Sequence, residues 1–313
     1  SRSGIVGIFP EGERSWDGRN IEIPSGNLNF LLKLGVPLVP VRIKGSYMAW
    51  PRWSPVPRKA RVEIRFFRAL STQEIRETKN LNKLINSTLH SIKDDNGTCQ
   101  VKGLKLNRKI NTLLWCCPLC YTNESLIPLP HNTIKCKNCQ EEWIIDGYHN
   151  LKRISTNKNE NMPLSRWYDM IVKNKTLSFV PSEKIHLGPH ETIFLRSFPT
   201  RVSYGDFPVL TESGVYYIFL TGKKIIFSAV EMQKRRTDRL NLFKRIMKSH
   251  QNDGRMKQIK LSEIRSVTIE GDKKLQLGMS GNMVQLNFER ESSLKWEIYL
   301  NYFINQQKFQ EAI

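Results

Sequence analysis

Four cysteines constrain the fold of this chain more tightly than any other residues. Cys117-x-x-Cys120 is followed, after residues 121–135, by Cys136-x-x-Cys139. Each Cys-x-x-Cys turn offers two thiolates to one tetrahedral ion, and the intervening residues must return as a hairpin to bring the pairs together. Pro118-Leu119 and Lys137-Asn138 suit the two tight turns. The alternative is a set of unligated buried thiols. Four thiolates close the coordination sphere, so the expected ion is a structural zinc, and no redox cofactor is expected. Cys116 makes a poorer spacing to Cys120, and Cys99 stands apart. His131 and His149 read as solvent or loop residues rather than ligands. Such clustering speaks for a metal site in a reducing, cytosolic setting and against a secreted disulfide framework.

Polar stretches at 93–112, with its Asp-Asp-Asn-Gly, and at 150–162 divide the 313 residues. Three domains are expected, over 1–95, 113–148 and 163–313. In the first, Ile5–Phe9 reads as a buried strand, Asn27–Gly35 as a helix stopped by glycine, and residues 36–45 as a strand whose prolines confine it to an edge or to strand ends. Residues 60–70 alternate as a half-exposed strand. Ser71, with Glu74 three residues on, caps a helix expected to run to about Ile92. This order is that of an α/β domain. The last domain reads as mainly β: a hairpin over 214–230 turning near Thr221-Gly222, further strands over 259–271 and 274–290, and a C-terminal helix capped by Ser292 or Ser293. One face of that helix is expected to carry Leu294, Ile298, Tyr302 and Ile304, with Trp296 nearby.

The formal net charge of +20 calls for an anionic partner: nucleic acid, an anionic membrane or phosphorylated substrates. No run of 18 apolar residues occurs. The best candidate, Phe30–Val41, contains Lys33, Pro37 and Pro40, so no spanning helix is expected, and no signal-peptide pattern opens the chain.

Phe9-Pro-Glu-Gly-Glu-Arg-Ser15 places a tight turn directly after an apolar run. Gly12 lets backbone approach a ligand closely, Arg14 can grip phosphate with a planar fork, and Ser15 can add a hydroxyl. The plainer alternative is a surface turn with a local Glu–Arg pair. The stretch resembles the third conserved block, Phe-Pro-Glu-Gly-Thr-Arg-Ser, of the PlsC-type glycerophosphate/lysophosphatidate acyltransferase family, with Glu13 where most members have Thr. Residues 35–46, Gly-Val-Pro-Leu-Val-Pro-Val-Arg-Ile-Lys-Gly-Ser, look like its fourth block. The resemblance covers roughly residues 4–90. It implies that Glu11, Gly12, Arg14 and Ser15 bind the acceptor's glycerol phosphate, and that Pro40 shapes the acyl pocket. The implied activity is transfer of a fatty acyl group from acyl-CoA or acyl carrier protein to 1-acylglycerol 3-phosphate (lysophosphatidate).

The family's His-x-x-x-x-Asp dyad lies upstream of the third block, and only three residues precede Gly4 here. His90 and Asp95 have the spacing but follow blocks three and four, so they are rejected. No catalytic residue is therefore expected in this chain, which looks like the C-terminal portion of a longer bacterial-type enzyme, inactive alone. Residues 113–148 resemble zinc ribbons, and residues 163–313 resemble a PH-like (GRAM-type) domain. Between the strands of the latter, Lys234, Arg235, Arg236, Arg239, Lys244, Arg245 and Lys248 are interleaved with apolar residues and suit anionic lipid headgroups. The expected location is cytoplasmic, peripheral on the inner face of the membrane, with nucleic acid not expected as a partner. The rival reading is a non-catalytic zinc-ribbon/PH-like adaptor binding membrane, protein or nucleic acid.

Overall fold

The computed structural model describes residues 4–89, 100–103, 105–155, 161–173, 191–206, 210–230 and 256–311. His90, Asp95, Cys99 and the basic stretch Lys234–Lys248 lie outside the described residues. The chain forms two compact units. One comprises Ser1–Lys109, Pro128–Ile134 and Glu141–Arg166; the other comprises Ile110–Ile127, Lys135–Gln140 and Trp167–Ile313. Six α-helices and antiparallel sheets make up the described residues.

In the first unit, α1 (Ser25–Leu34) ends at Gly35, whose φ of 63° is the left-handed C-cap expected of glycine. β1 (Val41–Lys44) pairs antiparallel with β2 (Glu63–Phe66), setting Val41 opposite Phe66 and Ile43 opposite Ile64. A further bridge joins Leu38 to Leu70. Between the strands lie a one-turn helix, α2 (Ser46–Ala49), and an irregular loop, Trp50–Arg58. α3 (Thr72–Glu77) begins with a complete capping box: Ser71 accepts from the Glu74 amide while the Glu74 carboxylate accepts from the Ser71 amide. The helix expected from Ser71 to about Ile92 is not continuous, and Ile92 itself lies outside the described residues. Thr78 is extended, and Asn80 restarts the chain as α4 (Leu81–Leu89) by accepting from the Lys83 amide at 2.9 Å. Side-chain capping by Asn outcompetes helix continuation there. Ile23, Leu31, Leu70, Ile75, Leu81 and Ile85 form the core these elements share.

Ile5–Phe9 is not a buried strand. Ile5, Val6, Ile8 and Phe9 are exposed, and the segment joins no sheet among the described residues. β-propensity orders a backbone only where a neighbouring strand takes up its amides and carbonyls.

β3 (Leu126–Pro128) and β4 (Thr133–Cys136) form the hairpin between the two cysteine pairs. β5 (Glu142–Ile145), β6 (Asn150–Arg153) and β7 (Asn161–Pro163) follow as an antiparallel meander, and α5 (Leu164–Lys173) begins at once.

The second unit is dominated by an antiparallel sheet of β8 (Ile193–Arg196), β9 (Thr200–Gly205), β10 (Thr211–Thr221), β11 (Lys224–Ala229), β12 (Met256–Lys260), β13 (Ser266–Glu270), β14 (Lys274–Gly278) and β15 (Met283–Asn287). The strand order is β12-β11-β10-β9-β15-β14-β13, with β8 also paired to β10. Two meanders are thus joined by their first and last strands: Tyr204 lies opposite Val284, and Val202 opposite Leu286. Period-two burial of Leu275, Leu277, Val284 and Leu286 marks the core face. α6 (Ser293–Glu311) is capped by Ser292, whose Oγ accepts from the Lys295 amide at 3.1 Å. Its buried face is Trp296, Tyr299, Leu300, Phe303 and Ile304, with Leu294, rather than one running through Ile298 and Tyr302. The larger rings take the core side, and Trp296 stacks on Phe288 with centroids 5.3 Å apart.

Candidate functional site

The four cysteines singled out by spacing come together. All four sulfurs lie within 4.8 Å of one another. Cys117 Sγ is 3.7 Å from Cys139 Sγ, and Cys120 Sγ is 3.6 Å from Cys136 Sγ. The two knuckles are built alike. The amide after each pair reaches back to the first cysteine's carbonyl: Tyr121 to Cys117 and Gln140 to Cys136, both at 3.0 Å. Tyr121 and Gln140 hold positive φ, 53° and 63°. Backbone amides of Leu119 and Cys120 donate to Cys117 Sγ, lowering the cost of a thiolate. At Cys120, burial opposes ionisation, but donors from Thr122 and Asn138 outweigh it and bring the thiol down to about 6; at Cys117 burial wins and the thiol is raised. The cluster can hold a metal ion. Cys116 stands outside it: its carbonyl accepts from Trp167 Nε1 at 3.2 Å. His131 lies in a turn, whereas His149, read as a loop or solvent residue, is a loop residue that is deeply buried.

The second candidate is the turn Glu11–Ser15. Phe9 O accepts from the Gly12 amide at 3.1 Å, closing a turn in which Gly12 has φ 79°. Asn27 on α1 pins the turn by donating to Pro10 O at 2.7 Å. Glu11 is half-buried and Arg14 exposed. The Arg14 guanidinium lies 5.3 Å from the Trp50 ring centroid and reaches Trp50 O at 3.5 Å. Ser15 Oγ accepts from the Gly18 amide at 2.9 Å and donates to Asp17. Pro40 is buried, its carbonyl accepting from the Phe67 amide.

Behind the turn stands an array that the sequence reading missed. The loop Trp50–Arg58 reads Trp-Pro-Arg-Trp-Ser-Pro-Val-Pro-Arg, and Pro51 through Ser54 are buried. Arg52 lies 4.4 Å over Trp16, and Arg58 lies 4.7 Å over Trp53. With Arg14 over Trp50, three cation–π pairs fall between residues 14 and 58, against roughly one per 70–80 residues in general. Arg52 is also ion-paired to Glu13. Tyr47 joins the array, donating to Trp16 O and accepting from Trp53 Nε1, both at 3.2 Å. The one available signal was local: two tryptophans, two arginines and three prolines in nine residues.

No family model matches the chain. A 1-acyl-sn-glycerol-3-phosphate acyltransferase of Cocos nucifera is 33% identical over 72 residues, 23% of this chain and 23% of that protein. Two of the same description, from Limnanthes alba and Limnanthes douglasii, are each 28% identical over 67 residues, 21% of this chain and 24% of theirs. The matches thus span about a quarter of the length of these curated relatives. This short local similarity relates part of the chain to acyltransferases.

Proposed function

We propose that the chain is the C-terminal portion of a 1-acylglycerol-3-phosphate acyltransferase and that Glu11, Gly12, Arg14 and Ser15 form its acceptor-phosphate turn. The observation that carries this reading is the exposed Arg14 guanidinium beside a glycine turn pinned to α1 through Asn27. In the whole enzyme the acceptor's free hydroxyl attacks the thioester of acyl-CoA or acyl carrier protein. An ester bond forms, the carbon–sulfur bond breaks, and the thiol leaves with the hydroxyl's proton. On this reading the general base belongs to the family's His-x-x-x-x-Asp block, and His90 and Asp95, which have that spacing but follow the phosphate turn, are not assigned to it.

On this reading residues 1–95 are the acyltransferase part, 113–148 a zinc ribbon and 163–313 a PH-like domain. Support for zinc is metric: arms of about 2.3 Å give a thiolate tetrahedron with edges of about 3.8 Å, close to two of the sulfur–sulfur distances, 3.6 and 3.7 Å, with all four sulfurs within 4.8 Å. Such an ion would stabilise the fold without acting on substrate. Support for the PH-like domain is two antiparallel meanders joined first strand to last and followed by one helix. No helix among the described residues is long and apolar enough to cross a membrane. Peripheral attachment through the basic stretch Lys234–Lys248, on the cytoplasmic face, completes the proposal.

The test is Arg14→Ala in the full-length enzyme. Loss of one charge-assisted hydrogen bond, on the order of 1.5–3 kcal/mol, weakens acceptor use about tenfold or more. An unchanged acceptor KM and kcat removes Arg14 from the site.

A further inference from the structure

Glu13 is the residue at which the turn departs from the pattern it resembles, and an added carboxylate there is unfavourable for an anion site. The structure contains its compensation. Arg52, 5% exposed, comes from the loop Trp50–Arg58. One nitrogen, Nη1, donates both to the Glu13 carboxylate and to the Arg14 carbonyl, the latter at 3.2 Å. The guanidinium plane rests on Trp16. The Glu13 carboxylate is ion-paired to this buried guanidinium, so its charge is offset within the turn. Two residues before Arg52, the same loop supplies Trp50, the ring under the Arg14 guanidinium. The loop therefore holds Arg14 at both ends, backbone through Arg52 and side chain through Trp50. It is closed on itself, with Trp50 Nε1 donating to Ser54 O at 3.1 Å and the Arg58 amide donating to Ala49 O at 2.6 Å. The electrostatics agree. Two carboxylates, Glu11 and Glu13, against Arg14 alone would give the turn the wrong sign for an anion, and Arg52 brings it to neutrality.

We propose that Arg52 is a positioning residue for Arg14 and that Glu13 acts with it as an ion-pair partner, so that the pair sets the turn for a phosphate monoester that Arg14 itself contacts. The inference rests on the reading of Glu11–Ser15 as a phosphate turn.

The test is calorimetric titration of the 313-residue chain with glycerol 3-phosphate. Arg14→Ala is expected to weaken binding about tenfold or more. Glu13→Ala is expected to weaken it about fivefold, and the double variant Glu13→Ala/Arg14→Ala to bind no more weakly than Arg14→Ala alone, because Glu13 acts through Arg14. Glu13→Gln, which keeps an acceptor for Nη1, should recover most of the loss. Arg52→Lys, which keeps charge but not the planar fork, should behave like Glu13→Ala. A merely structural role would lower the unfolding midpoint of Glu13→Ala without this non-additivity or this rescue. Unchanged binding in Glu13→Ala, or losses that multiply in full in the double variant, overturns the pair while leaving Arg14 in the site. If the unaltered chain fails to bind glycerol 3-phosphate, the phosphate-turn reading falls and the pair falls with it. Should Arg52→Lys not fold, the Glu13 series decides alone.

Discussion

Arg58 Nη1 lies 2.6 Å from His149 Nε2, although 91 residues of chain separate them. A guanidinium can only donate, so Nε2 accepts, and the imidazole is neutral with its proton on Nδ1. The ring is enclosed edge-on by Tyr47 at 5.6 Å and at a tilt by Trp53 at 5.7 Å. Burial, and then the Arg58 charge, bring His149 from 6.5 down to about 3. Burial also lowers Arg58, to about 10.

An acid-sensitive stability follows. The unfolded chain takes up a proton at His149 near pH 6.5, the folded chain only near pH 3. The contribution is therefore complete above the higher value and lost as pH falls toward the lower, at up to about 1.4 kcal/mol per pH unit. Urea unfolding of the unaltered chain between about pH 7 and pH 4 should show this slope, and His149→Gln should show a shallower one. Cysteine protonation is common to both proteins and cancels. Identical slopes would remove His149 from the acid response.

Metal content tests the cysteine cluster. Freshly purified, reduced protein should carry about one zinc per chain. Cys136→Ser should lose it, whereas Cys116→Ser should keep it, because Cys116 lies outside the four-sulfur cluster. Elemental analysis that finds no zinc in the unaltered protein decides against the site.

Lys295 anchors the start of α6. Its Nζ pairs with Glu124 and, at 3.1 Å, with Glu291, whose carboxylate also accepts from Trp296 Nε1 at 2.8 Å and the Phe198 amide at 2.9 Å. Burial alone would push the ammonium down, but the two carboxylates outweigh it and raise it. Lys295→Met strands a buried carboxylate and should cost about 3 kcal/mol in chemical denaturation, near the lower end for a broken buried pair because Glu124 is partly solvated. A loss below about 1 kcal/mol would class the trio with ordinary surface pairs.

Lipid binding tests the basic stretch. The chain should sediment with vesicles containing anionic lipid, at about 1 kcal/mol per engaged base, and be released by salt. Replacing Lys234, Arg235, Arg236 and Arg239 by Glu should abolish this. Equal binding to neutral vesicles, or none to either kind, counts against the assignment, and salt-sensitive binding to nucleic acid alone favours the adaptor reading.

What the sequence made legible was local. Gly35 stops α1, Ser71 and Glu74 box α3, and Ser292 caps α6, because each signal acts within a few residues. The cysteine cluster was legible because metal chemistry fixes both spacing and distance. Ile5–Phe9 misled because an apolar run carries no record of whether a strand lies beside it. The break at Thr78–Asn80 was hidden because a cap and a mid-helix polar residue look alike until the backbone chooses. The run of Trp, Arg and Pro at 50–58 was the one local hint of Arg52 and Trp53, and nothing in it named their partners or those of His149. Arg52 meets Glu13 across 39 residues, and His149 meets Arg58 across 91. No local period encodes such contacts.

The pairing of β9 with β15 has a consequence for how the second unit is made. Residues 201–205 lie opposite residues 283–287 at the middle of the sheet. On the ribosome each meander can zip locally as it emerges, but the seam between them stays open until the last strand has left the exit tunnel. Closing so long a loop is slow compared with hairpin formation. For that interval each meander presents a bare edge, and a nascent chain in this state is the form that a chaperone, or a neighbouring copy, would meet first.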